Sequence, residues 1–279
     1  MISHFDALFD KCLPAFKQTR TFQRARELAH GVISCIGRCT ITGMLTASGN
    51  QFNDWSAAYR IFKGQRMNID TLFGAVRKEV VVQNKTEQEN IYAHMDDTIL
   101  RKRGKKISGT GWLRDPLGPP FCNNFIWGQR FVQVSLSLIE KEVLGPSRAI
   151  PIDFKHCPPT RKPSKNATES DIALYRERQK KEKMSEVGVQ RIIALRKNLD
   201  EDGFNNKKLI LSVDGSYTNG TVLKKLPDNV DLIGRIRKDS KIYSLPTSQQ
   251  SGKGRKRYYG AEMPTPEQID KARITLTNQ

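Results

Sequence analysis

Lys207-Lys208-Leu209-Ile210-Leu211-Ser212-Val213-Asp214-Gly215-Ser216-Tyr217 is the stretch on which the fold turns. Its apolar run reads as a buried β-strand, and it ends at an aspartate. A second run, Ile91-Tyr92-Ala93-His94-Met95, has the same form and is followed by Asp96, Asp97 and Thr98. The chain around them is dominated by positive charge. Carboxylates at strand ends suit a hard cation, which takes oxygen ligands, and surrounding lysine and arginine suit a phosphate backbone. That is the pairing a metal-dependent nuclease needs.

The charge supports the same direction. Across 279 residues, 47 Lys and Arg stand against 29 Asp and Glu, for a formal net charge of +18. Such an excess speaks about partners rather than fold, and a polyanion is the partner it favours. A membrane span is excluded on length: the most apolar segments, residues 131–139 and 209–213, fall far short of the roughly 18 residues a span needs. The N-terminus lacks the basic and long apolar regions of an export signal. Five cysteines (Cys12, Cys35, Cys39, Cys122 and Cys157) fit reduced thiols in a cytoplasm. Cys35 and Cys39 fall on one face of an expected helix with His30 nearby, and core packing is the favoured reading over zinc. His156-Cys157, followed by two prolines, reads as loop.

Outward from the two strands, periodicity sets the organisation. Residues 1–85 read as a helical domain, with Phe5, Leu8, Phe9, Cys12, Leu13 and Phe16, then Phe22 to Ile36, recurring at helical spacing. Asn53 or Asp54 can cap one short helix and Asp70 another. Lys17, Arg20, Arg24, Arg26, Arg60, Lys63 and Arg66 give this part a basic surface suited to DNA. Residues 86–240 form the expected core. Strands are predicted at 91–95, 107–113 and 125–136, with an exposed connection at 145–170 and a charged helix at 169–201. The strand ending at Asp214, a short helix at 221–226 and a last strand at 230–237 follow. Residues 241–279 read as a loop-like segment, either the start of an insertion region or a truncated tail, whose run Arg255-Lys256-Arg257 supplies further DNA contacts.

Strand, strand, strand, helix, strand, helix, strand is the order of an RNase H-like fold, an α/β mixed sheet with flanking helices. In that fold the first and fourth strands are neighbours. Asp96 and Asp214 lie 118 positions apart (214 − 96), yet would face one another and share a divalent ion. Two ions roughly 4 Å apart would activate the attacking water or 3′-hydroxyl and stabilise the leaving oxygen.

The motifs then carry a specific resemblance. Met95-Asp96-Asp97-Thr98 with its basic run, Trp112-Leu113-Arg114-Asp115-Pro116 leading to Trp127-Gly128-Gln129-Arg130-Phe131, and Val213 to Gly220 followed by Ile233 to Asp239 resemble bacterial insertion-sequence transposases of the DDE type. The similarity is greatest to insertion-sequence family four and its seven-hundred-and-one-like relatives. Asp54-Trp55-Ser56-Ala57-Ala58-Tyr59-Arg60 extends it to the N-terminus. The resemblance implies catalytic, metal-binding aspartates at Asp96 and Asp214 and Mg²⁺ or Mn²⁺ as cofactor. It implies DNA contacts at Arg101, Lys102, Arg103, Lys105 and Lys106. Asp97 rivals Asp96, but adjacent strand residues point to opposite faces and Asp96 directly ends the apolar run. The implied partners are double-stranded DNA, at inverted-repeat ends and target sites, and a second copy in a synaptic complex, in a nucleoid-associated cytoplasmic setting without membrane.

The departure is the third acidic residue, a glutamate that the family places on a helix after the last core strand. Only 65 residues (279 − 214) follow Asp214. Asp239, Glu262, Glu267 and Asp270 are the remaining candidates: Glu262 lies in a loop-like setting, and Glu267 and Asp270 can begin a helix after Pro264 or Pro266, yet no apolar-periodic helix follows them. The expectation is therefore a chain truncated before that glutamate, one that binds duplex DNA and cuts little. A catalytically inactive DNA-binding remnant and another RNase H-like nuclease are the alternatives.

Overall fold

The computed structural model describes residues 2–84, 90–119, 121–122, 124–139, 147–246 and 259–277. Arg255, Lys256 and Arg257 lie outside the described residues.

Helices come first: α1 (Ile2–Asp10), α2 (Thr19–Ser34), α3 (Ile41–Ala47), α4 (Trp55–Ile61) and α5 (Ile69–Gln83). The caps are local and legible. The Asp54 side chain accepts from Ser56 N at the start of α4, and Asn68, rather than Asp70, caps α5 by accepting from Thr71 N. Asp70 instead sits in the first turn of α5, where an acid complements the helix dipole. Leu28, Leu45, Ala58 and Ile61 form a small core for α2 to α4. Helix α5 leaves that group, because Val80 and Val81 are buried in the larger core of the sheet. Cys35 and Cys39 do not share a helix face: α2 ends at Ser34, Cys39 is exposed, and His30 is engaged with Asp6 at 2.7 Å.

The sheet is built from β1 (Asn90–Arg101), β2 (Gly111–Arg114), β3 (Phe125–Leu138), β4 (Arg148–His156), β5 (Lys208–Val213) and β6 (Val230–Gly234). Its order is β2-β3-β1-β5-β6, with β4 also paired to β3. Strand β1 is antiparallel to β3 and parallel to β5, and β6 is parallel to β5. This is an RNase H-like sheet.

Three expectations need correction. Strand β1 does not end at Asp96 but continues to Arg101, because β3 pairs with it along that whole length. The segment at 107–113 contributes only four residues as β2. The third long strand of the antiparallel half is β4, inside the stretch expected to be an exposed connection, and it carries His156 at its end. Proline and lysine obscured this strand; Pro151 sits beside the irregularity in the β3–β4 register, where a missing N–H costs little.

The charged helical stretch divides into α6 (Glu169–Lys181) and α7 (Met184–Glu201), followed after β5 by α8 (Gly220–Leu223). Helix α7 is the backbone of the core, burying Val187, Val189, Ile192, Leu195 and Leu199 against the sheet. At roughly 1.5–3 kcal/mol per fully buried aliphatic side chain, this one face outweighs any surface ion pair. Arg196, itself buried, donates to the Phe204 and Lys207 carbonyls at 2.9 Å each and to Asp200, which fixes where β5 begins. Behind the helices, Arg77 of α5 reaches Asp202 at the end of α7 at 2.8 Å.

The tail is also more ordered than its sequence suggests. Strands β7 (Ile242–Tyr243) and β8 (Glu262–Met263) pair, and α9 (Pro266–Thr277) follows. No helix among the described residues is long and apolar enough to cross a membrane.

Candidate active site on the open face of the sheet

Strand alternation divides the site in two. Ile91, Ala93 and Met95 of β1 and Leu209, Leu211 and Val213 of β5 are buried. They face α7, whose Gly188 comes so close that an added Cβ would lie 3.2 Å from Met95 and 2.8 Å from the Tyr217 ring. On the other side of the same strands, Tyr92, His94, Asp96 and Thr98, with Ser212 and Asp214, are exposed. One face is closed by helices; the other is open.

Asp96 and Asp214 belong to the open face. The parallel ladder pairs Met95 with Val213, so the next position on each strand places Asp96 beside Asp214. Neighbouring strands lie about 4.8 Å apart, the right scale for two carboxylates to share one cation. The Asp96 Oδ1 accepts from Asp97 N at 2.8 Å. Beyond β5, the turn Asp214-Gly215-Ser216-Tyr217 closes with Tyr217 N donating to the Asp214 carbonyl at 3.0 Å.

Asp97 points the other way. It is half-buried, 3.6 Å from the Arg130 Nε, and accepts from the Tyr217 hydroxyl at 3.4 Å. Burial pushes its carboxyl above the usual carboxylate range; Arg130 opposes that shift, and Asp96 and Asp214 add to it. Burial and the neighbouring Asp97 carboxylate also drive the Tyr217 hydroxyl far up, so it remains protonated and a donor. The two acidic segments are thus tied together from behind, through Asp97 and Tyr217.

Basic groups approach from two directions. A cleft of about 860 Å³ beside Asp214 is lined by Gly215, Thr218, Arg235, Arg237 and Lys238 with Asp239 and Ser240. Arg237 is engaged with Asp239 at 3.2 Å. Sequence reasoning did not single out Arg235 or Lys238 as phosphate contacts; the signal was their position directly after β6, beside the end of β5. From the opposite side, the basic turn after β1 is pinned to β3: Trp127 Nε1 donates to the Gly104 carbonyl at 3.2 Å and Gln129 Nε2 to that of Ser108 at 2.7 Å. Arg101 is committed to Asp115 at 2.8 Å, whereas Arg103, Lys105 and Lys106 stand exposed around the pinned turn and Lys102 is half-exposed.

The donor type fits a divalent cation, being paired exposed carboxylate oxygens. The set stops at two. Among the described residues no group of three or more His, Cys, Asp or Glu side chains could hold a metal. Glu262 lies in β8 and pairs with Lys241 at 3.6 Å. Glu267 and Asp270 lie on a helix, α9, that starts at Pro266, one of the two starts the sequence allowed. Its first turn is anchored by Glu267 N on the Lys238 carbonyl, and the Glu267 carboxylate faces Lys271 at 3.2 Å, which holds it below its usual range.

An RNase H-like sheet with adjacent carboxylates on neighbouring parallel strands, flanked by cations, defines a class of proteins that act on nucleic-acid phosphodiesters. A family model described as DDE superfamily endonuclease matches residues 9–279, and the chain belongs to that family. Membership implies a nuclease or transposase-like function, a DNA substrate and a divalent metal. No curated protein matches the chain.

Proposed function

We propose that this chain is a transposase polypeptide of a bacterial insertion sequence, acting on element-end DNA, with Asp96 and Asp214 as two of its metal-binding catalytic carboxylates. The observation that carries this reading is the parallel register of β1 and β5, which sets those aspartates side by side on the open face. Asp97 serves as support, since its carboxylate is taken up by Tyr217 and Arg130 on the closed face. When bound, Mg²⁺ or Mn²⁺ would supply the Lewis acidity for attack by water or a 3′-hydroxyl. Asp96 and Asp214 would hold it; Arg235 and Lys238 would receive the phosphates on one side, and Lys102, Arg103, Lys105 and Lys106 on the other. Residues 1–85 form a DNA-binding helical part: Lys17, Lys63 and Arg66 line one cleft there, and Arg20, Arg24, Arg60 and Arg66 line a second that shares Arg66.

A second reading is a DNA-binding remnant that occupies element ends, and even joins a synaptic complex, without chemistry. The two-carboxylate set favours it, because the third ligand is not among the described residues. Calorimetric titration of Mn²⁺, run beside a cleavage assay on inverted-repeat DNA, separates the cases. Weak Mn²⁺ binding lost in Asp96→Asn, with salt-sensitive duplex binding and little cleavage, is expected. Robust cleavage abolished by Glu262→Gln or Glu267→Gln would overturn the two-carboxylate assignment.

A further inference from the structure

Tyr217 stands behind the two aspartates, inside the core, with 1% of its surface exposed. A side chain with a polar tip is costly to bury that deeply unless the tip finds a partner. Its hydroxyl donates to Asp97 Oδ1 at 3.4 Å, while the other oxygen, Oδ2, faces the Arg130 Nε at 3.6 Å. From that contact two short paths lead to the aspartates of the open face. Along β1, the Asp97 amide donates to Asp96 Oδ1 at 2.8 Å, so the residue that Tyr217 holds in turn aims the Asp96 carboxylate. Along the turn after β5, Tyr217 N donates to the Asp214 carbonyl at 3.0 Å. One side chain thus joins segments 120 positions apart and reaches back to both carboxylate-bearing residues.

The ring sits in a notch of helix α7. An added Cβ at Gly188 would lie 2.8 Å from two carbons of the Tyr217 ring and 3.2 Å from the Met95 terminal methyl. Glycine is disfavoured inside a helix, yet α7 carries one here, against the ring and against the residue that precedes Asp96. Any larger residue must displace the ring, and its hydroxyl with it. The position of Tyr217 is therefore set by the packing of α7 and not by the turn alone.

We propose that Tyr217 is a positioning residue of the metal site: its hydroxyl and its backbone amide fix Asp96 relative to Asp214, and α7 sets where it stands through Gly188. The inference rests on Asp96 and Asp214 being the metal ligands. Parallel pairing sets their strands about 4.8 Å apart but leaves each carboxylate free to turn about its own side-chain bonds. The path through Asp97 restrains that freedom at Asp96, and the closed turn restrains the backbone at Asp214. Ligands held before the ion arrives bind it more tightly, because less freedom is lost on binding.

The test is Mn²⁺ titration of the full chain by calorimetry, beside urea denaturation of the metal-free protein. Tyr217→Phe keeps the ring in its notch and removes only the hydroxyl. It should weaken Mn²⁺ binding by roughly tenfold, as loss of an outer-shell partner does, with the fold intact by circular dichroism. Leu199→Ala, in the core towards the other end of α7, should lower the urea midpoint more than Tyr217→Phe does and leave Mn²⁺ affinity unchanged. A double-mutant cycle adds a readout that a merely structural role would not move. Asp97→Ala and Tyr217→Phe interrupt the same path, so the double variant should bind Mn²⁺ within about twofold of the weaker single variant. Wild-type affinity in Tyr217→Phe, or losses that multiply in the double variant, would overturn the positioning role. An equal loss in Leu199→Ala would overturn it too, by marking a general effect of stability. Unchanged affinity in Asp96→Asn would instead overturn the assignment of the ligands, and this inference with it.

Discussion

Asp96 and Asp97 are consecutive residues of one strand and occupy two different environments. Asp97 faces helices, and burial, Arg130 and Tyr217 decide its state. Asp96 faces solvent beside Asp214. The contrast extends across the sheet: one face holds Met95, Leu209, Leu211, Val132 and Val134 at 2% exposure or less, while the other shows Ile233 at 59% and Tyr92 at 38%. A single sheet can therefore carry its stability on one side and present its chemistry on the other. The period of two along each strand is what makes that division possible.

The largest effect that could break this comparison is on stability. Leu211→Ala should cost about 2–5 kcal/mol in urea denaturation, as truncation in a packed core does, whereas Ile233→Ala should stay within about 0.5 kcal/mol. Similar losses at both positions would mean that the open face is covered. The next effect is on metal binding. Asp96→Asn and Asp214→Asn should each remove measurable Mn²⁺ affinity in calorimetry, and Asp97→Asn should weaken it by about tenfold, as loss of a supporting group does. The opposite ranking of Asp96 and Asp97 would reassign the ligand.

A subtler effect concerns pH. A carboxyl whose folded pKa is raised binds its proton more tightly when folded, so it stabilises below its unfolded value of roughly 3.9 and that contribution is lost as pH rises through the folded value. Wild type should therefore lose stability relative to Asp97→Asn as pH rises from the ordinary carboxylate range towards the raised Asp97 value. Denaturant melts across that window would show it, and a wild type that gains on the variant instead would place Asp97 in a charge-stabilised site. The smallest effect is on salt dependence. Arg235→Ala or Lys238→Ala should lower the slope of log binding constant against log salt by about 0.9 each, the loss of one phosphate contact. Arg101→Ala should change it less, because its guanidinium is already held by Asp115.

Much of the architecture was legible because its signals are local. The β5 run, the apolar face of α7, the Asp54 cap and the order of elements all read directly from residue type and spacing. The failures were non-local. Strand β4 carries Pro151, Lys155 and a following Pro158-Pro159, so its composition speaks for loop; only pairing with β3 makes it a strand. The end of β1 was misplaced because two aspartates look like a terminus, yet the β3 ladder carries them along. The sequence allowed a helix start at Pro266 but not the contact of Glu267 N with the Lys238 carbonyl that anchors α9 beside the end of β6. Among site residues, the sequence offered Asp96, Asp214 and the basic turn. It gave no sign of Arg235 or Lys238, which stand just after β6.

By itself, then, the sequence determined an α/β chain with a helical start, a strong positive charge and acidic residues at two strand positions. Those properties follow from side-chain periodicity and charge, which need no partner. Tertiary structure alone decided that Asp214 stands next to Asp96, what holds Asp97 on the closed face and which cations stand beside the pair. The physical reason is that register between strands far apart in the chain is fixed by burying one whole face at once. Once Leu209, Leu211 and Val213 were committed to α7, Asp214 had to appear on the other side, next to Asp96.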